Sequence, residues 1–142
     1  MQNTLAAGLA ILTLALMGHA YAQDPVTIAT CPEKGSINQK PMPEGGYSYD
    51  VSGPAGGSWT GENETATADY LQTVTFVGAA YKDTTKAVIC DYEGPGYAGI
   101  RLSLKAFQDW QPAQGTAWSG GSCQDSVVNQ CAFAYSTLTP TQ

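Results

Sequence analysis

Asp91 and Glu93 stand two residues apart in "AVICDYEGPG", residues 87–96, where an apolar strand-like run meets a Gly-Pro-Gly turn. On a β-strand, positions two apart share a face, which sets these carboxylates roughly 6–7 Å from each other. That separation falls in the range used for glycoside hydrolysis, where one acid donates a proton and the other attacks or activates water. A calcium ion, which gathers about six to eight oxygens, could also reach both. The competing reading is a solvated strand end beside a turn. It takes precedence, because a catalytic carboxylate needs burial that a turn seldom gives. Tyr92, on the opposite face, reads as core beside Cys90.

Two further groups invite a binding role. "SWTGENET", residues 58–65, offers Trp59 flanked by Glu62 and Glu64. An exposed tryptophan among acids could stack on a sugar ring or anchor a protein partner, and its alternative is a lid folded back onto a core. Trp110 and Trp118 lie in a Gly/Gln/Ser-rich stretch, with Tyr97 and Asp109 as candidate neighbours. Two tryptophans in such a stretch are the stronger binding hint, although a small domain can use both as core. Asn63-Glu64-Thr65 matches the glycan acceptor pattern, which means little in a chain of bacterial character.

Composition removes whole classes of chemistry. The single histidine, His19, sits in the N-terminal apolar leader, so residues 23–142 contain none. Ser-His-Asp and Cys-His catalysis and His-based zinc sites are thereby excluded. An enzyme built here would have to work with carboxylates, Tyr, Lys, Ser or Cys. Twelve Asp/Glu against six Lys/Arg, all within residues 23–142, give a net charge of −6. Nucleic acid and anionic lipid are poor partners for such a chain, whereas a basic protein is permitted. No motif calls for a cofactor.

Cys31, Cys90, Cys123 and Cys131 form an even set without a C-x-x-C pair. In an exported chain they read as two disulfides rather than a zinc site. Of the three possible pairings, Cys123–Cys131 is favoured, because "CQDSVVNQC" is a compact loop whose ends could meet. Cys31–Cys90 remains, tying the N-terminal part to a central strand.

The elements that must position these residues are strands. Residues 47–51 alternate Tyr47, Tyr49 and Val51 on one face, and residues 99–107 alternate Ile100, Leu102 and Leu104 against Arg101, Ser103 and Lys105. Residues 26–31, 70–82, 86–93 and 131–138 complete a set of β-rich runs. Gly78 marks a bulge or a crowded crossing in the third run, whose start, "ADYLQTV", could alternatively open a short helix. Asp83-Thr84-Thr85 and Gly94-Pro95-Gly96 turn consecutive strands into an antiparallel meander. Residues 52–69 and 109–122 are expected to be long loops. The fold class expected is all-β, a small disulfide-stapled antiparallel β-sandwich or open barrel, forming a single domain over residues 23–142.

Residues 1–22 read as an export signal. An apolar run over residues 5–17 is too short to span a bilayer and is followed by Ala20-Tyr21-Ala22, a small-x-small cleavage pattern. The leader departs from the usual pattern in having no Lys or Arg ahead of its apolar run. No second long apolar run follows, so no membrane association is expected after cleavage, and the expected location is periplasmic or secreted.

Cys31-Pro32, Ile37, Trp59, Phe76, Ala79, Tyr81, Cys90 and Tyr92, in that order, resemble a family of small exported bacterial proteins classified only as a domain of unknown function. The resemblance covers most of residues 23–142. It implies a secreted β-rich protein bridged between Cys31 and Cys90, and it brings no activity with it.

The functional expectation is therefore a non-enzymatic scaffold. It would bind a protein or glycan through Trp-bearing loops, with Trp59, Glu62, Glu64, Asp91, Glu93, Trp110 and Trp118 as candidate contacts. An inhibitor or immunity-type protein acting on a cationic envelope-targeting enzyme is the second reading. A carboxylate-based secreted hydrolase is the third.

Overall fold

The computed structural model describes residues 25–139, so the export signal expected over residues 1–22 lies outside the described residues. The chain is all-β apart from single helical turns, and every strand pairing among the described residues is antiparallel. The strands are β1 (Thr27–Ala29), β2 (Asn38–Pro41), β3 (Tyr47–Ser52), β4 (Ser58–Asn63), β5 (Thr75–Lys82), β6 (Ala87–Glu93), β7 (Gly99–Leu104), β8 (Phe107–Gln108), β9 (Gln111–Pro112), β10 (Trp118–Ser119), β11 (Ser122–Gln124), β12 (Phe133–Tyr135) and β13 (Thr137–Leu138). Eight of them form one sheet in the order β10-β11-β5-β6-β7-β4-β3-β2. A three-stranded sheet, β1-β12-β9, and the pair β13-β8 supply the second layer.

The expected meander is present as β5-β6-β7. Its first turn closes through Asp83 and Lys86, and its second is held by the Gly94 amide donating to the Ala98 carbonyl at 2.9 Å. Alternation sets which side is wet. Ile100 and Leu102 are buried while Arg101 between them is exposed, and Tyr49 and Val51 point inward from β3. At Gly78 both sequence readings hold together. The β5–β6 register slips between Phe76 and Gly78, and a Cβ on Gly78 would lie 2.4 Å from the Cys123 carbonyl oxygen of β11.

Several expected segments differ. Residues 52–69, expected as loop, contain β4, because Trp59 is their only large apolar residue and the pattern around it is polar. Residues 109–122 contain β9 and β10, strands of two residues that no periodicity can announce. The run 99–107 breaks after Leu104, where Ala106 takes φ 73° and turns Phe107 out of the first sheet into the second layer. There Phe107 is fully buried and becomes the node of the core, with ring centroids 5.1 Å from Phe133, 5.0 Å from Tyr135 and 6.2 Å from Trp59. Edge-to-face contacts of this kind add to the burial of large rings. Residues 70–82 resolve into a helical turn, α1 (Tyr70–Thr73), followed by β5. Residues 131–138 divide into β12 and β13, which belong to different sheets.

Both expected disulfides are present, Cys31–Cys90 and Cys123–Cys131, with sequence separations of 59 and 8. Cys90 lies on β6 beside Tyr92, whose hydroxyl donates to the Pro32 carbonyl, so the segment before β2 is tied to the central strand twice. No helix among the described residues is long and apolar enough to cross a membrane.

Closing a loop as long as that of Cys31–Cys90 removes on the order of 4 kcal/mol of unfolded-state entropy, and the short loop adds about 2–3 kcal/mol. Scanning calorimetry with reductant should therefore show melting lowered by roughly 15–25 °C for a domain of this size. Equal melting temperatures would contradict the stapling role. Burial, with Glu33 adding to it, pushes the Tyr92 phenol well above its ordinary value. An unfolded tyrosine ionises near pH 10, so the stabilisation is whole below about pH 10 and is lost as pH rises towards the native value. Urea melts at about pH 8 and about pH 10.5 should show this alkaline loss. Tyr92→Phe should abolish Tyr92's share of it, at a cost of about 1 kcal/mol at neutral pH for the missing hydrogen bond.

Candidate functional site

The two acidic pairs nominated from sequence come together. β4 pairs with β7 at Thr60–Ser103 and β7 pairs with β6 from Gly99–Glu93 to Leu104–Val88. The end of β4 is thereby carried alongside the β6–β7 hairpin. Glu62, Glu64, Asp91 and Glu93 line one open cavity of about 630 Å³ on the wet side of the large sheet, with Gly99 and Arg101 between them. A second cavity of about 590 Å³ shares Glu62 and Glu64 in its lining, together with Met42, Glu44 and Lys40.

Within the first cavity the charges are unequal. Arg101 is its only cation among the described residues, and it faces Asp91 in register across β6 and β7. Its Nε donates to Asp91 Oδ1 at 2.7 Å and a terminal nitrogen to Oδ2 at 3.2 Å. This two-pronged bond to Asp91 raises the guanidinium pKa above its ordinary value. Glu62, Glu64 and Glu93 take part in none of the ion pairs among the described residues, which use Asp50, Asp83 and Asp91. Three exposed carboxylates thus stand outside any direct ion pair at this end of the sheet.

Asn63 fixes the turn that presents two of them. Its Nδ2 donates to the Gly99 carbonyl at 2.8 Å, and its Oδ1 accepts from the backbone amide and the hydroxyl of Thr65, each at 3.0 Å. The amide of the Asn63-Glu64-Thr65 acceptor pattern is therefore spent on bracing the β4 end against β7. Sequence reasoning missed Asn63, Gly99 and Arg101 as members of this site. Arg101 was within reach, because counting back from the Gly94-Pro95-Gly96 turn sets it opposite Asp91.

The tryptophans serve otherwise than expected. Trp59 is 1% exposed and packs against Phe107, which corrects its nomination as a binding residue: β4 alternation turns it inward while Glu62 faces water. Trp110 and Trp118 do meet, edge to face at 4.8 Å, and both are half-buried. Tyr81 stacks flat on Trp110 at 4.1 Å and 5°, and the Trp118 Nε1 donates to the Ala132 carbonyl at 3.0 Å. Their rings chiefly hold the 109–122 segment onto β5. Asp109 accepts from the Ser136 hydroxyl at 2.6 Å, while Tyr97 lies in the turn between β6 and β7.

Chemically, the arrangement offers acceptors on an open surface. Asp91 is engaged by Arg101 and is not a free partner for Glu93, and the Glu62, Glu64 and Glu93 side chains lie in water rather than in a buried pocket. Among the described residues no three carboxylates or other metal-binding groups come close enough to hold a metal ion.

No family model matches the chain, and no curated protein or solved structure matches it either.

The difference between core and rim tryptophans is measurable. Trp59→Ala should cost about 3–5 kcal/mol in urea unfolding, as expected for a buried aromatic ring. Trp118→Ala, half-buried at the β10 edge, should cost distinctly less. Comparable losses at the two positions would contradict this assignment.

Proposed function

We propose that this protein is an exported, non-catalytic β-scaffold that docks a basic protein against the acidic end of its large sheet. The observation that carries this reading is the convergence of Glu62, Glu64, Asp91 and Glu93 on one open cavity whose single guanidinium is already held by Asp91. Complementary charge of this kind steers encounter and selects partners. Two disulfides in so small a domain suit an oxidising, exported setting. A role as inhibitor or immunity-type protein towards a cationic envelope-targeting enzyme, such as a wall hydrolase, is the biological form that best fits these features. Glycan binding through the Trp-bearing segment is less favoured, since Tyr81 covers one face of Trp110.

The test is isothermal titration of the oxidised protein with cationic wall hydrolases, alongside retention on wall polysaccharide. Binding to a cationic enzyme should weaken roughly tenfold or more between low and physiological salt. The double variant Glu62→Lys, Glu64→Lys should abolish it with the melting temperature unchanged, because both side chains are exposed. Undiminished binding by that variant would overturn the proposal. Retention on polysaccharide that is lost with Trp118→Ala would move the site to the tryptophans.

A further inference from the structure

A sheet ends in a strand whose outer backbone groups are unpaired, and such an edge invites a further strand unless something blunts it. Most edges here are blunted. β2, at one end of the large sheet, carries Lys40 and closes on Pro41, and β10, at the other end, is two residues long. β9, at one edge of the three-stranded sheet, is Gln111–Pro112, and β13 and β8 have two residues each. β1 is the exception. Residues 26–30, "VTIAT", hold no charge and no proline, and no strand among the described residues lies beyond β1.

Register fixes which groups are free. The Ala113 amide donates to the Ala132 carbonyl at 3.1 Å, just beyond the β12–β9 ladder. Backbone direction alternates along an antiparallel strand, so Ala132 and Ala134 turn towards β9, and Phe133 and Tyr135 turn towards β1. Pro112, opposite Phe133, has no amide to offer and fits this assignment. On β1, Thr27 and Ala29 stand opposite Tyr135 and Phe133 and take the ladder bonds. The N–H and C=O of Ile28, and of Val26 and Thr30 on either side of it, therefore point away from the sheet. The side chains reinforce the edge. Four large apolar residues are exposed among the described residues, and two of them are Val26, at 56%, and Ile28, at 57%. They stand two apart, on one face of this one strand.

We infer that β1 pairs with β1 of a second copy, antiparallel about a two-fold axis through Ile28, joining the two three-stranded sheets into one. The edge calls for an extended segment that sets no charge against it, and it is its own complement. Two-fold pairing places Ile28 against Ile28, Thr27 against Ala29 and Val26 against Thr30, so β-branched side chains meet and no like charges oppose each other. A head-to-tail arrangement would need a second open edge. The blunted strands supply none, so the assembly closes as a dimer. This inference is independent of the docking reading, because the acidic cavity lies on the wet side of the other sheet.

Sedimentation equilibrium of the oxidised protein from about 1 µM to about 1 mM should show reversible dimerisation, since so short a pairing belongs at the weak end of specific contacts. Each copy has a net charge of −6, so added salt should strengthen the dimer, the reverse of its effect on docking to a cationic enzyme. Ile28→Lys, at an exposed position, should weaken the dimer roughly tenfold or more with the melting temperature unchanged. Cysteine variants read the register. Residues opposed in a hydrogen-bonded pair have Cα atoms about 5.5 Å apart, within disulfide reach, whereas Val26 and its copy would stand about 13 Å apart along the strands. Under mild oxidation Ile28→Cys should cross-link to its copy roughly tenfold faster than Val26→Cys. A protein that stays monomeric throughout that range, a folded Ile28→Lys that dimerises like wild type, a dimer weakened by salt, or equal cross-linking at positions 26 and 28 would each overturn the inference. Should Ile28→Lys fail to fold, the wild-type sedimentation and the two cysteine variants decide the matter.

Discussion

At Gly61 the backbone of β4 approaches β7 so closely that any side chain would strike the Arg101 carbonyl oxygen. That approach joins the β3–β4 hairpin to the β5-β6-β7 meander and makes one sheet of two pieces. Trp59, two residues earlier on β4, is thereby delivered onto Phe107, and Glu62, one residue later, is delivered to the face that carries Asp91. Core and candidate site thus follow from the same crossing. Remove the glycine and the strand must lift off, which would separate the carboxylates as surely as it would open the core.

β6 carries the other half of the arrangement. Its even-numbered residues Val88, Cys90 and Tyr92 are fully buried, and Cys90 and Tyr92 bind the segment at Cys31-Pro32 by a disulfide and a hydrogen bond. Its last odd-numbered residues, Asp91 and Glu93, look the other way into the cavity. A strand anchored this firmly on one side holds its opposite side chains in fixed register, and recognition by a few charges benefits from such fixed placement. The remote disulfide therefore matters to the acidic face through β6 rather than by contact with it.

Much of this was legible in the sequence where the signal is local. Alternation of Ile100, Leu102 and Leu104, the Gly94-Pro95-Gly96 turn and the nine-residue cysteine loop are short-range features, and the meander and both bridges follow from them. β4 escaped because "SWTGEN" pairs one tryptophan with small and polar residues, and its glycine looks like loop chemistry when it is a crossing. The joining of Glu62 and Glu64 to Asp91 and Glu93 depends on β4 meeting β7, a contact between segments about forty residues apart that no local pattern encodes. For the same reason Trp59 passed as a rim residue although the period-2 rule, once β4 is known to be a strand, sends it inward.

The distribution of cations argues that the acidic end is more than a means of staying dissolved. Charge spread for solubility is best interspersed, and elsewhere on the chain it is: Lys40 is 3.8 Å from Asp50 and Lys86 is 3.4 Å from Asp83. At the cavity the one arginine is bound to the one aspartate, and Lys40, in the adjoining cavity lined by Glu62 and Glu64, is already paired with Asp50, while Glu62, Glu64 and Glu93 take part in no ion pair among the described residues. Their mutual repulsion is modest in water, since screening acts over roughly 8 Å at physiological salt. Against an incoming basic surface, however, water is excluded and the same charges interact more strongly. A cluster that costs little when open and gains when covered has the electrostatic character that the proposed docking reading requires.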